Sequence, residues 1–113
     1  MLIGIISCSV FLFFISCNGN EKPKVISPAD KVTYERDVKP ILVKSCTPCH
    51  FDGGINKNKW DDYATTKYKI PIIIDRVNKE QGAAKFMPKD GHKLSPETIA
   101  ILRKWVTDGT LEQ

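Results

Sequence analysis

Five consecutive residues, Cys46, Thr47, Pro48, Cys49 and His50, carry the most specific chemistry in the chain. Two thiols with two residues between them, followed directly by a histidine, form the C-x-x-C-H pattern that attaches a c-type haem. The spacing has a chemical reason. One turn of backbone sets both sulfurs along one porphyrin edge, where each forms a thioether with a vinyl group. The imidazole that follows then lies beneath the ring and faces the iron. Haem iron accepts a proximal histidine, and a methionine opposite it raises the reduction potential.

Two other chemistries use a C-x-x-C pair. Zinc wants four ligands, usually from two such pairs. No cysteine follows Cys49, and a set built from Cys46, Cys49, His50 and His92 lacks the usual separated histidine pair because His50 adjoins Cys49. A redox dithiol of the thioredoxin kind sits in a βαβ pattern. No such pattern flanks Cys46–His50.

Met1 aside, the chain has one methionine, Met87. It lies in a loop and directly precedes Pro88. A residue before proline is pushed to extended geometry, and proline withholds a donor from the loop. Both stiffen a side chain that must present its sulfur to iron. The plainer role is a methionine that fills a gap in the core. His92, five residues on, is the alternative to Met87 as the second axial ligand, and an open position is the third possibility.

These residues need elements to hold them. Tyr34, Val38, Ile41 and Leu42 recur at helical spacing, with Thr33 as the expected N-cap and Glu35 in the first turn. Pro40 interrupts the pattern, so a turn over 34–37 and a helix over 38–46 are expected, the helix running into the motif. Phe51-Asp52-Gly53-Gly54 and the polar residues to Lys59 read as a loop. Asp61 or Asn58 is expected to cap a short helix over 60–68. A second helix is expected from Pro71, fading over Asn78–Gly82, with Pro71 as its first residue. Ile72, Ile73 and Ile74 also suit a strand, but no other segment offers a strand to pair with.

The last element is the clearest. Ser95 caps it, Pro96 opens it, Glu97 lies where the helix dipole favours an acid, and Gly109 stops it. Ile99, Leu102, Trp105 and Val106 form one face. The apolar faces of 38–46 and 96–108 are expected to pack on each other, with the cofactor filling the space between.

The chain has 113 residues, enough for one domain. Residues 1–20 carry no charged side chain, and Leu2–Ile15 is nearly all apolar. That run is shorter than the roughly 20 residues of a transmembrane helix and suits the apolar region of an export signal. Ile15-Ser16-Cys17 resembles the end of a bacterial lipoprotein signal, with Cys17 as the acylated residue, although Phe14 stands where leucine is usual. A plain signal peptide or an uncleaved anchor is the alternative. Cys8 falls inside the apolar run as a small hydrophobe. The expected organisation is a signal over 1–16, a flexible tether over 17–32 and a domain over 33–113. Acyl chains on Cys17 would anchor the domain to a membrane. The net charge of +4 is a solvated lysine-rich face or a surface that steers an acidic partner. No basic block with interleaved aromatics points to nucleic acid.

Taken together, Pro40-Ile41-Leu42, Cys46–His50, Met87-Pro88, Leu94-Ser95 and Trp105 to Gly109 resemble the monohaem cytochrome c family over residues 33–110. The resemblance implies an all-α, class I-like cytochrome c fold whose first and last helices pack around one covalent haem c. It implies thioethers at Cys46 and Cys49, axial His50 and Met87, and Trp105 packed near the haem. It also implies an electron carrier rather than an enzyme, on the periplasmic side of a bacterial membrane. Its partners would be redox proteins, with no small-molecule substrate. The rival is a haem enzyme subunit or ligand-binding sensor with a labile distal position. The chain departs from the family after the motif. Many members have Gly-Pro there, whose carbonyl holds the axial histidine, whereas Ile55 follows Gly53-Gly54 here. The acceptor behind His50 is thus left open, as are the propionate donors, for which Trp60 and Tyr63 are candidates.

Overall fold

A computed structural model describes residues 26–113. The expected signal over 1–16, Cys8, the proposed lipidation site Cys17 and most of the tether lie outside the described residues. Within them the fold is all-α: three α-helices and no strand beyond an isolated parallel bridge between Thr33 and Leu111. The helices are α1 (Lys39–Cys46), α2 (Tyr63–Asn78) and α3 (Pro96–Thr107). Among the described residues no helix is long and apolar enough to cross a membrane.

The segment before α1 is a π-helical turn over Tyr34–Val38 rather than a plain turn. Val38 N–H donates to the Thr33 carbonyl at 3.3 Å, and Lys39 N–H to that of Tyr34. Pro40 accounts for this. It cannot donate to the Arg36 carbonyl, and its ring would crowd that oxygen in a tight turn. Widening the turn by one residue relieves the crowding. Thr33 occupies the cap position, but its side chain makes no cap bond. Instead the Asp37 carboxylate reaches back and accepts from Thr33 N–H at 3.0 Å.

The expected break at Pro71 does not occur. One sixteen-residue helix, α2, runs through it. Its cap is Asp62, whose carboxylate accepts from Thr65 N–H at 2.8 Å, rather than Asp61 or Asn58. Pro71 is exposed, so its ring points away from the core and only one carbonyl loses its partner. Thr66, Ile70, Ile73 and Val77 form one buried stripe that spans both sides of the proline. Burying a side chain of this size is worth about 1.5–3 kcal/mol, so the stripe outweighs the roughly 3 kcal/mol cost of an interior proline.

α3 follows the sequence closely. Ser95 accepts from Thr98 N–H at 3.2 Å, and Pro96 opens the helix. At its end Gly109 N–H bonds the Val106 carbonyl at 3.2 Å and Thr110 N–H bonds that of Trp105 at 2.8 Å. That pair is the Schellman arrangement, and Gly109 supplies its left-handed residue with φ of 98°. α3 packs on α2 and on the Tyr34–Val38 turn. The expected pairing of 38–46 with 96–108 is thus made mainly one turn early. Val32, Tyr34, Val38 and Leu42 share one core with Ile99, Leu102 and Trp105.

The two ends of the domain are tied together. Tyr34 N–H donates to the Leu111 carbonyl at 2.9 Å and Glu35 N–H to that of Glu112 at 3.1 Å. Asp108 adds a third tie: its carboxylate accepts from Val32 N–H at 2.8 Å and pairs with Lys104 at 2.8 Å. The Lys104 ammonium, and then Val32 N–H, hold the Asp108 carboxyl below its ordinary range. A depressed carboxylate pKa gives stability that is complete above the unfolded value, about 3.9. That stability is lost as pH falls through the lower folded value. Asp108→Asn is therefore expected to lower the melting temperature at neutral pH and to flatten its fall in acid. Thermal melts from neutral pH downward check this, and an unaltered acid limb would place the pH dependence on other carboxylates.

Candidate functional site

α1 ends at Cys46, so helical backbone fixes the first thiol. The chain then folds back in a short turn, with His50 N–H donating to the Cys46 carbonyl at 2.9 Å. Cys46 and Cys49 are both free thiols. Burial pushes the Cys46 thiol up to about 11. A redox dithiol needs a low-pKa attacking thiol, and burial at Cys46 works against that.

His50 is held from behind. Its Nδ1 lies 2.7 Å from the Asn58 carbonyl oxygen. A carbonyl only accepts, so Nδ1 carries a proton, and in the neutral ring Nε2 keeps its lone pair. That lone pair meets the Asn56 side-chain amide at 3.5 Å, a long contact that a metal would displace. The imidazole also stacks on Trp60, ring centres 4.9 Å apart and planes 19° from parallel. Such a bond from the non-ligating nitrogen orients a ligand histidine and raises its basicity.

The loop that carries Asn58 is closed by two devices. Gly54 passes so close to the motif that a Cβ there would lie 2.6 Å from the Cys49 carbonyl oxygen and closer still to that of Pro48. Lys59 then reaches back, its ammonium donating to the Phe51 and Gly54 carbonyls at 2.7 and 2.9 Å. Hydrogen bonds from a charged donor contribute about 1.5–3 kcal/mol. Lys59→Met keeps the aliphatic stem and removes the donor, and is expected to destabilise the domain by about that amount. Denaturant unfolding reads the difference, and an unshifted midpoint would show the staple to be dispensable.

Cys46, Cys49 and His50 open onto a cavity of about 1190 Å³. Met87 lines the same cavity, and so does His92. Met87 is half-buried, and its N–H donates to the Arg76 carbonyl at 3.3 Å, which ties the loop to α2. Phe86 beside it is buried. The apolar wall comes from Ile72, Ile73 and Val77 on α2, with Trp60 and Leu94. Ligand pockets usually run to about 300–1,000 Å³, so this cavity has room for a large group.

The fit to a haem follows from these donors. Two thiols, an imidazole whose Nε2 meets only the Asn56 amide at 3.5 Å, and a thioether share one largely apolar cavity. A haem iron asks the protein for only two ligand atoms.

Trp105 is elsewhere. It is fully buried between Tyr34 and Tyr63, and its Nε1–H donates to the Leu111 carbonyl at 2.8 Å. The tryptophan that lines the cavity is Trp60. Tyr63 likewise turns to the core side, its hydroxyl donating to the Thr110 carbonyl at 2.7 Å. Sequence reasoning passed over Arg76 and the Asn58 carbonyl. The first has the signal of a lone arginine on the apolar face of α2; the second has none, because every residue carries a carbonyl.

Comparison of the chain with models of protein families, with curated proteins and with solved structures finds no match.

Proposed function

We propose that the chain is a monohaem c-type cytochrome domain: a membrane-tethered, periplasmic electron-transfer protein holding one covalent haem c between His50 and Met87. The observation that carries this is the meeting of Cys46, Cys49, His50 and Met87 on one cavity, with the Asn58 carbonyl accepting from His50 Nδ1–H. A bound haem supplies an iron that gains and loses one electron. The chain does the rest. Cys46 and Cys49 hold the ring by its edge. The Asn58 carbonyl and the Trp60 ring keep the imidazole in one orientation and one tautomer. Ile73 and Val77 exclude water from one side. The half-exposed Ile72 and the fully exposed Ile55 mark the open rim, where a redox partner would approach. Asp62 caps α2 and Asp61 beside it is exposed, which supports reading the pair as a helix start.

The test is an optical redox titration of protein matured with haem-attachment machinery. Expected are a covalent haem c, one single-electron step and the sulfur-to-iron charge-transfer band of His/Met ligation. Ready carbon monoxide binding to the reduced form without that band would favour the sensor or enzyme reading instead. Because His92 lines the same cavity, a spectrum with two histidine ligands would move the sixth position to it. The membrane tether has its own test. Cys17→Ala is expected to release the protein from membranes, and continued retention would mean a different anchor.

A further inference from the structure

The cavity wall has a marked charge asymmetry. Lys44, Lys57, Lys69, Arg76 and Lys89 line it against the single carboxylate of Asp90. The lysines Lys44, Lys57 and Lys89 are exposed and solvated. Arg76 differs from them. Its Nε is buried and makes no hydrogen bond. The neighbouring Asp75 carboxylate stands 3.8 Å away, beyond hydrogen-bond reach. One terminal nitrogen bonds the Lys85 carbonyl at 3.4 Å, a long contact. Guanidinium stays charged at every working pH and presents a planar fork that matches a carboxylate. A buried donor left unmatched costs about 1–3 kcal/mol. Lys69, half-buried on the same helix, places its ammonium over the Tyr68 ring, 5.1 Å from the centroid. A permanent cation with an unused buried donor, beside Ile72, Ile73 and Val77, is suited to an apolar ligand with acid groups at its edge.

We propose that Arg76 is the carboxylate-anchoring residue of the cavity, and that its guanidinium pairs with a propionate of the bound haem; this rests on the function proposed above. Arg76 is then a positioning residue in two senses. Its side chain holds the cofactor's acid edge, and its backbone carbonyl holds Met87 N–H. Both the porphyrin edge and the sixth-ligand loop are referred to one residue of α2.

The experiment uses holoprotein whose haem is isotopically labelled at the propionate carboxyl carbons. Redox difference infrared spectra then isolate the propionate bands. Arg76→Gln is expected to shift those bands, and Arg76→Lys, which keeps the charge but not the fork, to restore part of the shift. Bands unmoved in Arg76→Gln with haem in place would overturn the Arg76 assignment alone. Unsubstituted protein without covalent haem would overturn the function beneath it and this pairing with it. A second measurement needs no variant. In unsubstituted holoprotein a through-space nuclear magnetic resonance contact is expected between the Arg76 guanidinium protons and a propionate methylene of the haem. Absence of that contact with haem in place would overturn the pairing.

Discussion

Met87→Ala is expected to abolish the sulfur-to-iron charge-transfer band of the oxidised protein and to lower its reduction potential. The thioether is the softest neutral donor on the cavity, and a soft ligand favours the reduced metal. Axial ligation spans roughly 0.8 V of haem potential, so its loss is expected to move the midpoint by a tenth of that range or more. The loop itself is expected to stay in place. Phe86 remains buried beside it, and the backbone bond to the Arg76 carbonyl does not depend on the side chain at 87. His92 lines the same cavity, so the variant has a second ligand at hand. A bis-histidine spectrum in Met87→Ala would show His92 taking the vacated position. Wild-type spectrum and potential in the variant would mean that Met87 was never the ligand.

Gly54→Ala is the second large effect. An added methyl would press on the Pro48 and Cys49 carbonyls, which are backbone and cannot turn aside. The loop from Phe51 to Lys59 must then move off the motif, and with it the Asn58 carbonyl behind His50. Overpacking of this kind costs about 1–3 kcal/mol or more. The functional loss is expected to exceed the loss in stability, because the imidazole would lose the contact that fixes its tautomer. Gly53→Ala is the control. Gly53 has φ of 76° and open space where its Cβ would be, so that variant bears only the left-handed backbone penalty, about 1–2 kcal/mol. Yield of covalent haem and the denaturation midpoint read both. If Gly54→Ala matures and melts like Gly53→Ala, the close approach is not what shapes the loop.

Local signals were legible where one residue type answers one local need. Ser95, Pro96 and Gly109 each meet a requirement at a helix end, and α3 starts and stops where they stand. Pro71 misled because the rule that breaks helices at proline is local, whereas the stripe Thr66, Ile70, Ile73 and Val77 is tertiary and outweighs it. Trp105 and Trp60 are alike in composition and differ in place. The fold sends the first to the core with Tyr34 and the second to His50, a choice set by packing across the whole domain. The motif residues Cys46, Cys49 and His50 were legible from spacing. That Met87 shares their cavity depended on how α2 and its following loop turn back, which no spacing encodes.

The hold on His50 has an evolutionary consequence. The group that orients it is a main-chain oxygen at position 58, which survives any substitution there. Selection acting on the imidazole therefore falls more on Gly54 and Lys59, which bring that oxygen to its place, than on the side chain of Asn58, whose one bond is a 3.3 Å contact to the Asn56 amide oxygen. Among descendants of this sequence, position 58 should vary more than 54 and 59. A mutational scan of the loop would show the same asymmetry within one generation.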